Sequence, residues 1–194
     1  TVVLVSPVAD VAPVPGSGDA FISNVMINGI TVTGTSIYEF FGLGYGRGIV
    51  AKRVYNFQAS NNYIYDISMI GISTEGGRGY NRINNNRLHN CKYTAIANNG
   101  RAHHSLVTGN VISKTDGGAD GNYVGSATSA AIAIQSDGPA IISKNTIYGD
   151  TTNYANCGGI MWGEGNWDGI GSIEDNLITH VRYGIATVYH GSCN

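Results

Sequence analysis

Apolar residues recur along this chain in a fixed relation to asparagine. Six segments read apolar-x-x-Asn-x-apolar: Phe21, Asn24, Met26; Ala59, Asn62, Ile64; Ile83, Asn86, Leu88; Val107, Asn110, Ile112; Ile142, Asn145, Ile147; and Ile173, Asn176, Ile178. Asparagine is poor in the interior of helices and strands and good at turns. The apolar residues on either side sit too close together for a helix of their own and read as two short strands meeting at a corner.

A second signal follows the asparagines, a small residue and then isoleucine: Gly71-Ile72, Ala95-Ile96, Ala131-Ile132, Gly159-Ile160 and Gly184-Ile185, with Gly48-Ile49 one unit ahead of Asn62. The stretch from isoleucine to the next asparagine stays between 13 and 16 residues, whereas that from asparagine to the next isoleucine ranges from 9 to 22. One part of the unit is nearly constant and the other accepts insertions, as in a coil whose loops bulge at one corner. The shortest period, Asn62 to Asn86 to Asn110, is 24 residues. Helical-repeat arrays need 33 or more, and the dense leucines of leucine-rich repeats are absent. Isoleucine, valine, glycine and asparagine favour strands and turns. Three short strands per turn of chain, stacked at about 4.8 Å, fit the period. The predicted fold is all-β: a right-handed, single-stranded parallel β-helix of about six coils, with isoleucine and valine pointing inward.

In such a stack the asparagines occupy a tight corner, where a left-handed backbone is accessible to them. Each side-chain amide is placed to bond its equivalents in the neighbouring coils, forming an internal ladder. The Asn-x-Ile and Gly-Ile signals over residues 20–190 resemble right-handed parallel β-helix proteins of the pectate-lyase-like superfamily. That resemblance implies handling of extended polysaccharides, as in pectin and alginate lyases, glycoside hydrolases, epimerases and bacteriophage tailspike depolymerases. The polygalacturonase-type Asp cluster and the Arg-containing pectate-lyase motif do not occur.

Composition narrows the picture. Charged residues make up 12% of the 194 and glycine contributes 28. At 42% apolar the chain is not of disordered composition. A net charge of −2 disfavours nucleic acid held by bulk charge, and no apolar run approaches a membrane span. Cys91, Cys157 and Cys193 are too few for a disulfide framework, and Cys91 aligns with Ile67 and Val181 as a core residue. Residues 1–19 read as an extended N-terminal segment and 20–194 as the β-helix domain, part of a longer chain or assembly.

The small residues before each isoleucine and the residues after it (Val50, Ser73, Ala97, Ala133, Met161, Ala186) read as an outward strip poor in bulk. Small outward side chains let a sugar chain, a loop or another subunit approach the backbone. Polar residues flank the strip: Lys52, Glu75, Asn99 and Gln135, then Arg78, Arg101, His103 and Asp137. The segment Met161 to Gly169 contributes Trp162, Glu164, Trp167 and Asp168. Trp162, two residues after an inward isoleucine, is compatible with either orientation. Aromatic rings and planar polar groups suit sugars. Hydrolysis needs two carboxyls about 5–9 Å apart, for which Asp137 with Glu164, and Glu75, are the candidates. A lyase would draw on Arg101, His103 and Glu75. The expected substrate-binding set is Arg101, His103, Gln135, Trp162, Trp167 and Asp168. "DGGADGN" lacks the spacing of a calcium loop, His103-His104 has no evident partner, and "GLGYGRG" lacks the Lys-Ser/Thr of a phosphate loop. No metal or cofactor is therefore expected. The expected function is polysaccharide binding and cleavage on the outer face, with a structural shaft or adhesin segment as the alternative. The resemblance further implies an extracellular or virion-surface location and a homotrimer.

Overall fold

The computed structural model describes residues 3–5, 22–35, 46–76, 79–98, 105–113, 131–136, 139–149, 157–162 and 171–187. Numbered in chain order, their strands form three stacked parallel sheets. Sheet 1 holds β1 (Val3–Val5), β5 (Arg47–Lys52), β9 (Ile70–Glu75), β12 (Thr94–Asn98), β15 (Ala131–Ser136), β18 (Cys157–Trp162) and β21 (Tyr183–Thr187). Sheet 2 holds β3 (Met26–Asn28), β7 (Gln58–Ser60), β10 (Arg82–Asn84), β13 (Ser105–Thr108), β16 (Ala140–Ser143) and β19 (Ser172–Glu174). Sheet 3 holds β4 (Thr31–Thr35), β8 (Tyr63–Ile67), β11 (Arg87–Cys91), β14 (Val111–Ser113), β17 (Thr146–Tyr148) and β20 (Leu177–Thr179). A short pair, β2 (Ile22–Ser23) with β6 (Val54–Tyr55), precedes sheet 2 in its first coils. Every pairing is parallel and joins one coil to the next, so the chain is a parallel β-helix.

Three inward columns make the core. They are Ile49-Ile72-Ile96-Ile134-Ile160 in sheet 1, Ile27-Ala59-Ile83-Val107-Ile142 in sheet 2, and Val32-Ile64-Leu88-Ile112-Ile147 in sheet 3. Burial falls at the last described rung. Ile185, in register with Ile160, is 55% exposed where Ile160 is 0%.

The corner between sheets 2 and 3 carries the ladder. Asn62 Nδ2 donates to Asn86 Oδ1 (2.9 Å), Asn86 to Asn110 (3.0 Å), Asn110 to Asn145 (2.9 Å) and Asn145 to Asn176 (2.9 Å). Each Oδ1 also accepts the backbone N–H of the asparagine before it, at 2.9–3.0 Å. The second proton of each Nδ2 goes to a strand carbonyl of sheet 2: Ile27, Ala59, Ile83, Val107 and Ile142. One side chain thus satisfies the polar groups that a buried corner would leave open.

Three details differ from the sequence reading. The left-handed residue is not the ladder asparagine but the one before it: Gly29, Asn61, Asn85, Gly109, Lys144 and Asp175 all have φ between 54° and 69°. The turn needs a positive φ, whereas the ladder position needs a side-chain amide aimed inward, so two adjacent residues divide the work. Asn24 does not join the ladder. Ile30 stands in register there and donates its N–H to Asn62 Oδ1 at 3.1 Å, while Asn24 stacks with Asn56 at a separate, exposed corner. In sheet 1 the third small-Ile pair is Ala133-Ile134 rather than Ala131-Ile132, because Ile96 pairs with Ile134. Ala-Ile-Ala-Ile offers the pattern twice, and only the register decides.

The small residue of each pair faces the core, not solvent. A Cβ on Gly71 would lie 2.6 Å from the Ala95 carbonyl oxygen and 2.7 Å from Leu88 Cδ2. Ala95 and Ala133 are fully buried among core residues. The pairing skips this position in every coil, so the strand bends there and brings backbone against backbone. Inward of the bend run Thr74, Asn98 and Ser136, a second buried polar row: Thr74 Oγ1 donates to Asn98 Oδ1 (3.1 Å) and Asn98 Nδ2 to Ser136 Oγ (3.0 Å).

Replacing Asn110 by alanine strands two donors of Asn86 and the Ile83 carbonyl. At about 1–3 kcal/mol per buried unsatisfied group, a loss of about 3 kcal/mol or more is expected in chemical denaturation. Asn24→Ala, at the exposed corner, should cost less, about 1–2 kcal/mol, most of it from placing alanine at a positive φ. Cys91, fully buried at the end of β11, has its thiol pushed up to about 12, by burial first and then by the Asp66 charge. A raised folded-state value means that the contribution of Cys91 is intact below the ordinary thiol value of 9.0 and is lost as pH rises from there toward 12. Cys91→Ala should remove part of the alkaline loss of stability. In a Cys157→Ser/Cys193→Ser background, iodoacetamide should label Cys91 only on unfolding.

Candidate functional site

On strands of a stacked coil the residues flanking an inward position face out. In sheet 3 these form two outer columns. One runs Tyr63, Arg87, Val111, Thr146, Leu177, and the other Tyr65, His89, Ser113, Tyr148, Thr179. The Tyr63 and Tyr65 rings stack, with centroids 4.8 Å apart and planes inclined by 27°. The Arg87 guanidinium lies one strand on, 5.7 Å from the Tyr63 ring centre, in the range of a cation–π contact. His89 Nδ1 is 2.9 Å from Ser113 Oγ. Tyr148, three strands from Tyr65, is 45% exposed. At the end of this face Asn90 Nδ2 donates to Asp66 Oδ1 at 2.7 Å, both residues with positive φ. The result is a firm outer surface of aromatic rings, a guanidinium, an imidazole and hydroxyls. The sequence signal was the pair of tyrosines bracketing an inward isoleucine in "NYIYD". Tyrosine is common in strands, so the pair by itself does not mark a site.

That other face is closed. Val50, Ser73, Ala97, Gln135 and Met161 form one outward column of sheet 1, yet none is more than 6% exposed in the isolated chain. Of the three occupants foreseen for this strip, the chain itself supplies the cover. Gln135 belongs to this buried column, in register with Ala97 rather than with Glu75.

Glu75 stands beside Lys52 at the rim of sheet 1. Its carboxylate is ion-paired with Arg47, and both groups reach Ser73 Oγ, at 3.3 Å from Glu75 and 3.5 Å from Arg47. Burial lowers the Arg47 value from its ordinary one, and the neighbouring carboxylate is the counter-charge that a half-buried cation needs. Trp162 shares an inward column with Asn98 and Ser136 and packs against the core. A Cβ on Gly171 would lie 2.7 Å from its Cζ2, so the glycine leaves room for the indole. Trp162 therefore turns away from the outer face. Asp137, Glu164, Arg101, His103, Trp167 and Asp168 lie outside the described residues, as do His104 and the "DGGADGN" segment.

Among the described residues no three His, Cys, Asp or Glu side chains gather as a metal site would require, and no helix is long and apolar enough to cross a membrane. Compared with known proteins, the chain matches no family model, no curated protein and no solved structure.

Proposed function

We propose that the chain binds an extended polysaccharide along the outer face of sheet 3. The observation that carries this reading is the stacked Tyr63–Tyr65 pair with Arg87 against it on a rigid sheet. Tyrosine presents a broad apolar face and a polar tip at little entropic cost, which suits the alternating CH-rich and hydroxyl-rich surfaces of a sugar ring. Tyr148 lies three rungs from Tyr65, roughly 14 Å at the spacing of stacked strands, so the face matches a ligand longer than one ring.

Cleavage is a separate part of this proposal, and it falls to Asp137 and Glu164, which in the chain stand between strands of sheet 1 and sheet 2 rather than on the sheet 3 face. The two follow β15 and β18, whose last residues Ser136 and Trp162 pair in register. Glycoside hydrolysis calls for two carboxyls about 5–9 Å apart, the role this proposal gives to the pair. Glu75, held by Arg47, contributes less. A protein of this kind would resemble the pectate-lyase-like enzymes and tailspike depolymerases, acting outside a cell or on a virion surface, as a trimer or within a larger assembly. The ion-paired state of Glu75 favours a second reading, a structural β-helix segment that cleaves nothing.

Glycan-array binding followed by assays for reducing ends and unsaturated uronates separates the two. On the proposed reading at least one polymer binds, Tyr63→Ala and Tyr65→Ala each weaken it about tenfold or more, in line with ~1–3 kcal/mol per stacked ring, and Asp137→Asn or Glu164→Gln abolishes product without loss of binding. Wild-type protein that binds no glycan leaves the structural reading.

A further inference from the structure

The exposed corner where Asn24 and Asn56 stack borders a depression of about 310 Å³. Asn24, Met26, Asn56, Gln58, Tyr80 and Arg82 line it. It opens on the sheet 2 side, away from the tyrosine face. Its walls are set by backbone. Asn24 and Asn56 have φ of 57° and 56°, and Gly79, at 80°, passes so close beneath them that a Cβ there would lie 2.6 Å from Asn56 Oδ1. That approach lets the Tyr80 N–H donate to Asn56 Oδ1 at 3.1 Å, while Asn56 Nδ2 donates to Asn24 Oδ1 at 3.2 Å. The amides are thereby fixed in line, and among the described residues the Asn24 Nδ2 group has no acceptor. Tyr80 is 57% exposed. Among the described residues the Arg82 guanidinium has neither an ion pair nor a hydrogen bond, unlike Arg47 with its carboxylate and Arg87 with its ring. None of the described residues around the depression is acidic.

The geometry points to a second binding site here, independent of the tyrosine face, for a single anionic sugar unit. An unpaired guanidinium offers paired donors in the geometry that a carboxylate or sulfate accepts. The exposed Tyr80 ring offers a stacking surface, and the fixed amides of Asn24, Asn56 and Gln58 offer donors and acceptors for ring hydroxyls. The volume falls at the lower end of the approximate 300–1,000 Å³ of ligand pockets, which suits one or two rings rather than a polymer. A carboxylate and a sulfate share this chemistry, so the ligand is defined by its charge and its ring.

The test is NMR titration of the ¹⁵N-labelled full chain with three oligosaccharides of matched length: an oligogalacturonate, a sulfated oligosaccharide and a neutral maltooligosaccharide. The expected result is that at least one anionic oligomer shifts the Arg82 Nε–H and the Asn24, Asn56 and Gln58 side-chain amides. Arg82→Gln should weaken that binding about tenfold or more, added salt should weaken it further, and the neutral oligomer should leave the signals in place. Response to the oligogalacturonate alone identifies a carboxylate site, to the sulfated oligomer alone a sulfate site, and to both a general anion site; each supports the proposal. Tyr63→Ala should leave these shifts unchanged, so failure of the tyrosine-face reading is distinguishable from failure of this one. Absence of shifts at the depression, equal binding of the neutral oligomer, or affinity unaltered in Arg82→Gln would overturn it. Arg82 is exposed, so the variant should fold as the wild type does.

Discussion

The amide-to-amide bond between asparagines in successive coils is the interaction on which the rest of this structure depends. A chain that turns a corner inside a packed stack leaves backbone groups with no sheet partner, and a buried unpaired group costs about 1–3 kcal/mol. Here one side chain answers several of those demands at once. From Asn86 onward each ladder oxygen accepts both the backbone and side-chain N–H of the asparagine in the preceding coil, and each Nδ2 also reaches a strand carbonyl. Because the bonds run along the axis of the stack, they fix coils to each other in register, and that register aligns everything outside them. The tyrosine face is a consequence. Tyr63 and Arg87 are neighbours because Asn62 and Asn86 are.

The corner also shows how sequence tolerance is divided. The left-handed position accepts glycine, asparagine, aspartate and lysine across six coils, since its side chain points away and only its φ is constrained. The ladder position holds asparagine in five of the described coils and is Ile30 in the first of them, where a backbone N–H alone donates to Asn62 Oδ1. Sheet 1 achieves its bend differently, with glycine or alanine set against the next coil's carbonyl and a buried Thr74-Asn98-Ser136 row beside it.

Much of this was legible in the order of residues. The period of 24, the asparagine column and the inward isoleucines follow from spacing, because stacked coils convert sequence distance into vertical contact, although spacing also admits Asn24, which stands at another corner. What could not be read is what spacing does not encode. Ala131-Ile132 and Ala133-Ile134 satisfy one pattern equally, and only strand register chooses the second. The outward direction of the small residues was inferred from strict alternation, which the bend at Gly71 breaks. Burial of Val50, Ala97 and Met161 is not written in the alternation of the strands that carry them. The candidate binding faces were the least visible. Tyr63 and Tyr65 looked like ordinary strand residues until their neighbours Arg87 and His89 were brought alongside, and Tyr80 and Arg82 gained meaning only from the left-handed residues beneath them.

The account stands on the ladder being buried and continuous in solution, and hydrogen exchange of its amides measures this directly. In the ¹⁵N-labelled protein the backbone and side-chain amide protons of Asn86, Asn110 and Asn145 should persist far longer in D₂O than those of Asn56, whose amide bonds lie at an exposed corner. Exchange of the three as rapid as that of Asn56 would contradict the stacked ladder.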